Sequence, residues 1–225
     1  MSNFKEVVPF FKALGKIKNV QTYLEIGVER GETFTRLGFP YKTGVDPLFA
    51  FNNWAHPGTW HEITSDRFFE GEVGIEDSFD FIFIDGLHHF DQVYRDFTNA
   101  LEHSHDDSII IIDDVYPCDE FSTMRDQEEC CEARGDGTRA WNGDVYKAII
   151  LLRLFHPKIN YATVMDLKVP QTVIWFGGQN PFKSQTYKDE LTEVVQNLEN
   201  ADYAWLKEHE WIYNKTDTKA LLEHL

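Results

Sequence analysis

The 225-residue chain is short of positive charge and of cysteine, and it has no long apolar run. Its 21 lysines and arginines are scattered and stand against 38 aspartates and glutamates, a net charge of -17. Phosphate backbones are bound by clustered Lys and Arg, so nucleic acid is not an expected partner, and a cationic ligand or a metal suits the chain better. No basic segment followed by an apolar stretch opens the sequence, and no run approaches the roughly 20 apolar residues needed to span a bilayer. The expectation is a soluble, cytoplasmic protein without a membrane partner. Cys118, Cys130 and Cys131 are odd in number and lack CxxC spacing, which reads as free thiols in a reducing compartment, with a redox or soft-metal role for the adjacent pair as the alternative. No internal repeat, low-complexity tract or linker divides the chain. The GxGxxG loop that binds a dinucleotide pyrophosphate is also missing.

What is present is a core. Hydrophobic residues at 42% and aromatics at 15% argue against disorder despite the charge, and the length fits one α/β domain over residues 1–225. The organising stretch runs from Phe79 to Asp114. Two apolar runs, Phe79–Ile84 and Ile109–Ile112, read as buried strands, and each ends in acid: Asp85 after the first, Asp113 and Asp114 after the second. Between them Phe90, Val93, Tyr94, Phe97, Ala100 and Leu101 share one helical face, so the unit is a βαβ crossover with parallel strands. In an open parallel sheet the binding crevice lies beyond the carboxyl ends of the strands, where all three aspartates fall. Neighbouring strands are about 4.8 Å apart, close enough for these carboxylates to share one hard cation. Capping and turn chemistry is the plainer reading of each aspartate alone. It is weaker for three together, because unpaired anions at adjacent strand ends repel.

In chain order, residues 3–18 form an opening helix, split by Pro9, within an N-terminal helical cap over residues 1–20. Thr22–Ile26 is the first strand, and Glu25-x-Gly27-x-x-x-Gly31 marks a strand-to-helix junction. Its glycines allow a tight turn and close backbone approach to a ligand. A glycine-poor loop with an acid in it suits a positively charged adenosyl ligand better than a diphosphate; a turn that binds nothing is the alternative. The second strand, Tyr41–Val45, ends at Asp46, where a doubly wound fold hydrogen-bonds ribose hydroxyls. Trp60–Thr64 is a third strand, after which Ser65 and Asp66 cap a helix, with an adenine-facing role for Asp66 as the second choice.

Residues 115–142 form a long, charged, irregular segment, and 116–142 is placed to be a lid over the site. A helix restarts at Trp141 and runs to about Phe155, followed by strands Asn160–Met165 and Thr172–Phe176. A pair of helices fills the tail, residues 184–225, whose aromatics make a homo-oligomer plausible.

With these motifs in place the sequence resembles the class I S-adenosylmethionine-dependent methyltransferases over residues 20–176. Asp85-Gly86-Leu87-His88, followed by Phe90, Val93 and Asp96, is similar to a block of the metal-dependent macrocin and mycinamicin type of sugar O-methyltransferase, and Asp113-Asp114 matches the acidic pair ending the fifth strand there. Phe90 stands where a tyrosine is usual, and His105-Asp106-Asp107-Ser108 replaces a glycine pair. The resemblance implies a Rossmann-like, seven-stranded, mostly parallel sheet with helices on both faces and the last strand antiparallel. It implies that Glu25, Gly27 and Gly31 cradle the methionine part of S-adenosylmethionine and that Asp46 binds the ribose. It further implies that Asp85, Asp113 and Asp114 hold Mg²⁺, or Mn²⁺ in its place, and that His88 is the general base. His88 lies one helical turn after Asp85, and His89 is its rival if the helix starts one residue later. Lys147 is a lesser candidate for a base or a substrate contact, against the reading of an exposed helix lysine.

The expected activity is O-methylation of a small molecule, a sugar or sugar-bearing metabolite. A nucleotide-cofactor (NAD-type) oxidoreductase and a non-catalytic cofactor-binding or assembly protein are the competing classes. The acceptor itself is not written in these motifs, because acceptor-facing residues sit on loops where spacing carries little chemistry.

Overall fold

The computed structural model describes residues 6–74, 77–183 and 188–225, with backbone only over 188–190. Residues 3–5 of the expected opening helix and 184–187 of the expected tail lie outside the described residues. Seven strands make one sheet: β1 Thr22–Ile26, β2 Tyr41–Val45, β3 Thr59–His61, β4 Phe81–Ile84, β5 Ile109–Ile112, β6 Asn160–Val164 and β7 Gln171–Trp175. Their order across the sheet is β3-β2-β1-β4-β5-β7-β6. Every pairing is parallel except the two made by β7, which runs antiparallel to β5 and to β6. Residues 165–170 join β6 to β7; a parallel crossover needs about a dozen residues or more, so the last strand turns back on its neighbour.

Helices cover both faces, which is why the central strands are apolar at every position and wholly buried. Alternate side chains of one strand enter different cores. Ile82, Ile84, Ile110 and Ile112 pack with α3 (Phe90–Glu102) and α5 (Tyr146–Phe155). Phe81, Phe83, Ile109 and Ile111 face the other way, onto α1 (Val7–Ile17) and α8 (Thr218–His224). The pairings Ile26 with Ile84 and Ile84 with Ile112 bring three strand ends level, so that Asp85 and Asp113 emerge side by side.

Several sequence expectations are corrected. Pro9 does not split α1: it sits in the first turn, where the missing N–H has no intrahelical acceptor to lose. No α-helix follows β1, only a short 3₁₀ turn at Phe34–Arg36, because Gly27, Glu29 and Gly31 take positive φ, which an α-helix does not accommodate. β4 begins at Phe81, two residues late, as the Asp80 carboxylate binds the backbone N–H of Gln21 and Thr22 in place of a strand ladder. β3 stops at His61, and Thr64, rather than Ser65 or Asp66, caps α2 (Ser65–Gly71).

The segment expected to be irregular contains α4 (Gln127–Arg134), capped by Asp126 and ended by Gly135 in the left-handed region. α5 starts at Tyr146 rather than Trp141, since Gly143 adopts φ +61. Among the described residues the tail holds three α-helices, α6 (Lys188–Gln196), α7 (Tyr203–Glu208) and α8, and its Trp205 and Trp211 pack on the chain's own core. Among the described residues no helix is long and apolar enough to cross a membrane.

The N-terminal helix belongs to the core. Phe11 is fully buried with its ring 5.0 Å from Phe81 and 4.9 Å from Phe83, both edge-on. Phe11→Ala should cost about 3–5 kcal/mol in denaturant unfolding. A loss below about 1 kcal/mol would show that α1 is peripheral to folding.

Candidate active site

A cavity of about 710 Å³ opens at the carboxyl ends of β1, β2 and β4, walled by Glu25, Gly27, Glu29, Asp46, Asp66, Asp85, His88 and Trp141 among others. This is the crevice position expected of a parallel sheet. Its floor depends on Gly27, whose φ is +84 and whose missing Cβ would stand 2.0 Å from the Asp85 carbonyl oxygen. The exits of β1 and β4 therefore touch, backbone to backbone. Gly31, at φ +69, is closed in by the Phe51 ring and lies beside the cavity in the same loop.

On the loop side, Asp46 Oδ2 accepts from the N–H of Val28 (2.9 Å) and Glu29 (2.8 Å), and Oδ1 accepts from Leu48 N–H (2.8 Å). Asp46 is thus a brace for the turn after β1. Glu25 is buried beneath it, accepts from the Tyr23 hydroxyl at 2.6 Å, and is pushed up to about 8 by burial, with Tyr23 and Lys42 pulling the other way. Asp66 lines the far end of the cavity, where Gln92 (3.0 Å) and Arg95 (3.1 Å) donate to it and hold its carboxyl below the usual range.

The acidic end is different in kind. Asp85, His88 and Asp114 each offer a ligand atom, and the three atoms lie within 4.8 Å of one another. His88 Nε2 is 3.1 Å from Asp114 Oδ2 and 3.8 Å from Asp85 Oδ1. Asp113 stands outside this trio: its Oδ1 accepts from Gln171 Nε2 and from the Asp114 N–H, both at 2.6 Å. Asp85 presents 31% of its side chain to the cavity while protein surrounds it, and burial and then the charges of Asp113 and Asp114 raise its carboxyl well above the usual range. Burial raises Asp113 and Asp114 as well, with Asp114 adding to Asp113. Burial lowers His88, so its imidazole is neutral near neutral pH, the form that ligates a metal or accepts a proton. His89 faces elsewhere, with Nε2 3.1 Å from the Arg125 carbonyl oxygen.

Residues that sequence spacing did not single out complete this end. The Trp141 indole stacks on the His88 ring at 4.6 Å and 17°. Asn142 Nδ2 donates to Asp114 Oδ1 at 2.7 Å, and Asp114 itself sits at φ +57, a strained conformation for a residue with a side chain. Gly143 runs so close to His88 that a Cβ would lie 1.8 Å from its carbonyl oxygen. An Asn-Gly pair is a turn signal, but read as the front of a helix it pointed away from the site. Lys147 does not line the cavity; it lies half-buried, 3.9 Å from Asp144 and over the Phe90 ring.

The raised carboxylates carry a pH consequence. A folded state that holds these protons more tightly than the unfolded chain loses stability as pH rises from the ordinary carboxylate range through the raised values. In metal-free buffer, Asp113→Asn should match the parent protein near pH 4 and exceed it at pH 8, by about 1 kcal/mol or more. Equal stability at both pH values in urea titrations would remove the repulsion from the account.

No curated protein sequence matches the chain. Residues 24–115 match the family described as a methyltransferase domain, a span that runs from β1 through Asp114. Among solved structures, the O-methyltransferase of Bacillus cereus in complex with SAH is similar at 15% identity, covering 77% of this chain and 82% of its own, with a TM-score of 0.53. The O-methyltransferase TomG of Streptomyces achromogenes, involved in tomaymycin synthesis and solved with SAM, is similar at 16% identity over 78% of this chain and 82% of its own, with a TM-score of 0.51. At such identities the likeness is one of fold. Residues 24–115 thus resemble the methyltransferase-domain family, and the chain shares the fold of these methyltransferases.

Proposed function

We propose that the chain, as one domain over residues 1–225 with 1–20 as cap, 116–142 as lid and 184–225 as C-terminal helices, uses S-adenosylmethionine to methylate a hydroxyl of a small molecule, a sugar or sugar-bearing metabolite, with help from a divalent cation. The observation that carries the reading is the convergence of Asp85, His88 and Asp114 at the edge of the cavity that Glu25 and Asp46 also line. A volume of about 710 Å³ is within the range of small-molecule sites. In this reading Glu25, Gly27 and Gly31 hold the methionine part of the donor, and Asp66 lies on the adenine side. Asp46 has three backbone donors already, which leaves one lone-pair position for a ribose hydroxyl. The free thiols of Cys118, Cys130 and Cys131 fit the reducing cytoplasm expected from the sequence.

The acidic end fits a cation on its own evidence. Carboxylates raised by burial and mutual repulsion are relieved by a positive charge, and the neutral imidazole beside two of them keeps a lone pair for a proton. Hard oxygen donors with no thiolate favour Mg²⁺ or Mn²⁺ over zinc. Asp85 and Asp114 would hold the ion, with Asp113 adding charge behind them. Bound there, a divalent cation supplies Lewis acidity that stabilises the conjugate base of a nearby hydroxyl. His88 takes the hydroxyl proton through Nε2 as the acceptor oxygen bonds to the methyl carbon and the carbon–sulfur bond breaks, its electron pair staying on sulfur. Trp141 covers one face of the imidazole and keeps water from it.

Calorimetric titration with S-adenosylmethionine and with NAD, in separate runs, should give saturable heat for the first and none for the second. Tight NAD binding without a response to S-adenosylmethionine would establish the oxidoreductase instead. Asp85→Asn should lower turnover about 100-fold or more. Full turnover of that variant in chelator would remove the cation from the mechanism while leaving the domain assignment standing. His88→Gln separates base from ligand: lost turnover with Mn²⁺ affinity intact assigns the base, and lost affinity assigns the ligand.

A further inference from the structure

We infer that Asn142 is a positioning residue that links cation binding to the order of the 116–142 segment. The inference rests on the ion site proposed above and goes beyond it. The chain leaves the site at Asp114, travels through residues 115–141, and returns with Trp141 on the His88 ring, Asn142 on the Asp114 carboxylate and Gly143 against the His88 backbone. Asn142 is buried, donates from its side chain to Asp114 Oδ1 at 2.7 Å, and is itself fixed by its N–H on the Ser122 carbonyl at 3.0 Å. One oxygen of Asp114 is therefore held from behind, and the other, Oδ2, is left facing His88 Nε2. Asp114 keeps φ +57 under this restraint.

The segment behind Asn142 is braced as a unit. Arg134 donates to both carboxylate oxygens of Asp119, at 3.1 and 2.8 Å, and to the Ala140 carbonyl at 2.6 Å. Trp141 Nε1 donates to the Met124 carbonyl at 2.6 Å, and Arg125 bridges to Asp91 (2.7 Å) and Asp144 (3.0 Å). Whatever holds Asn142 in place thus holds its neighbours. By linkage, if Asn142 presets Asp114 for the cation, the cation in turn stabilises Asn142 and the segment attached to it. Asn142 touches neither the donor-side residues nor Asp85 by hydrogen bond, so its effect is confined to the ion end.

The test uses the full chain and Mn²⁺, followed by electron paramagnetic resonance for affinity and by trypsin cleavage after Arg139, whose side chain is 60% exposed, for segment order. In the parent protein Mn²⁺ should bind and slow that cleavage. Asn142→Ala should weaken Mn²⁺ binding about 10- to 100-fold, abolish the protection, and leave S-adenosylmethionine affinity unchanged. Asn142→Ser is the milder variant should the alanine form not fold. Mn²⁺ affinity and protection equal to the parent's in the variant would overturn the inference. So would a uniform loss of Mn²⁺ affinity, S-adenosylmethionine affinity and thermal stability, which marks a merely structural residue. A parent protein that binds no Mn²⁺ would overturn the inference through the ion site itself, and that outcome is distinct because it appears before any variant is made.

Discussion

Like charge confined at one end of a parallel sheet is the constraint on which the rest of this structure depends. The β4–β5 register sets Ile84 against Ile112, and the next residues, Asp85 and Asp113, follow side by side with Asp114 directly after. Two unit charges about 4 Å apart repel by roughly 4 kcal/mol at the effective dielectric of a protein surface, and more deeply buried pairs repel harder. The backbone ladder does not allow these groups to separate: Asp113 N–H bonds to the Ile84 carbonyl and Asp85 N–H to that of Ile26. The molecule answers with protons, with hydrogen bonds from Gln171 and Asn142, and with the neutral His88 beside them.

The same geometry explains why the surroundings are built from close approaches. Gly27 lets β1 meet the backbone leaving β4, and Gly143 lets the end of the long segment meet His88. Asp46 ties the turn after β1 to the end of β2. Two apolar layers, one on each face of the sheet, hold the strand ends level. Site and core are therefore one construction: shifting a strand by one residue would exchange its two cores and move an aspartate out of the cluster.

Much of the fold was legible because burial on both faces leaves a plain mark. β5 was read with its true limits from four consecutive isoleucines, and α3 from its apolar face. The reversal of β7 follows from a connection too short to cross over. Errors gathered where side chains replace backbone partners. Asp80 binds the N–H groups of Gln21 and Thr22, far from it in sequence, and β4 starts late; after β1, positive φ at Gly27, Glu29 and Gly31 leaves no place for the expected helix. α4 was missed although Asp126 and Gly135 mark its two ends, because charge density along residues 115–142 outweighed those two local signals.

At the site, residue types and strand ends place Glu25, Gly27, Asp46 and Asp85 on one rim, and the family resemblance adds His88; all five line one cavity, since strand direction decides which carboxyl ends share a rim. Which of the three aspartates converge with His88 was decided only by tertiary structure. Asp114 joins Asp85 and His88 because its left-handed backbone and Asn142 turn it inward, and Asp113 stands apart because Gln171, from β7, holds it. Those partners lie 28 and 58 residues away along the chain, so no local spacing encodes them. Strand periodicity is a short-range property of the sequence, whereas the aim of a buried carboxylate is set by whatever distant donor the packing delivers to it.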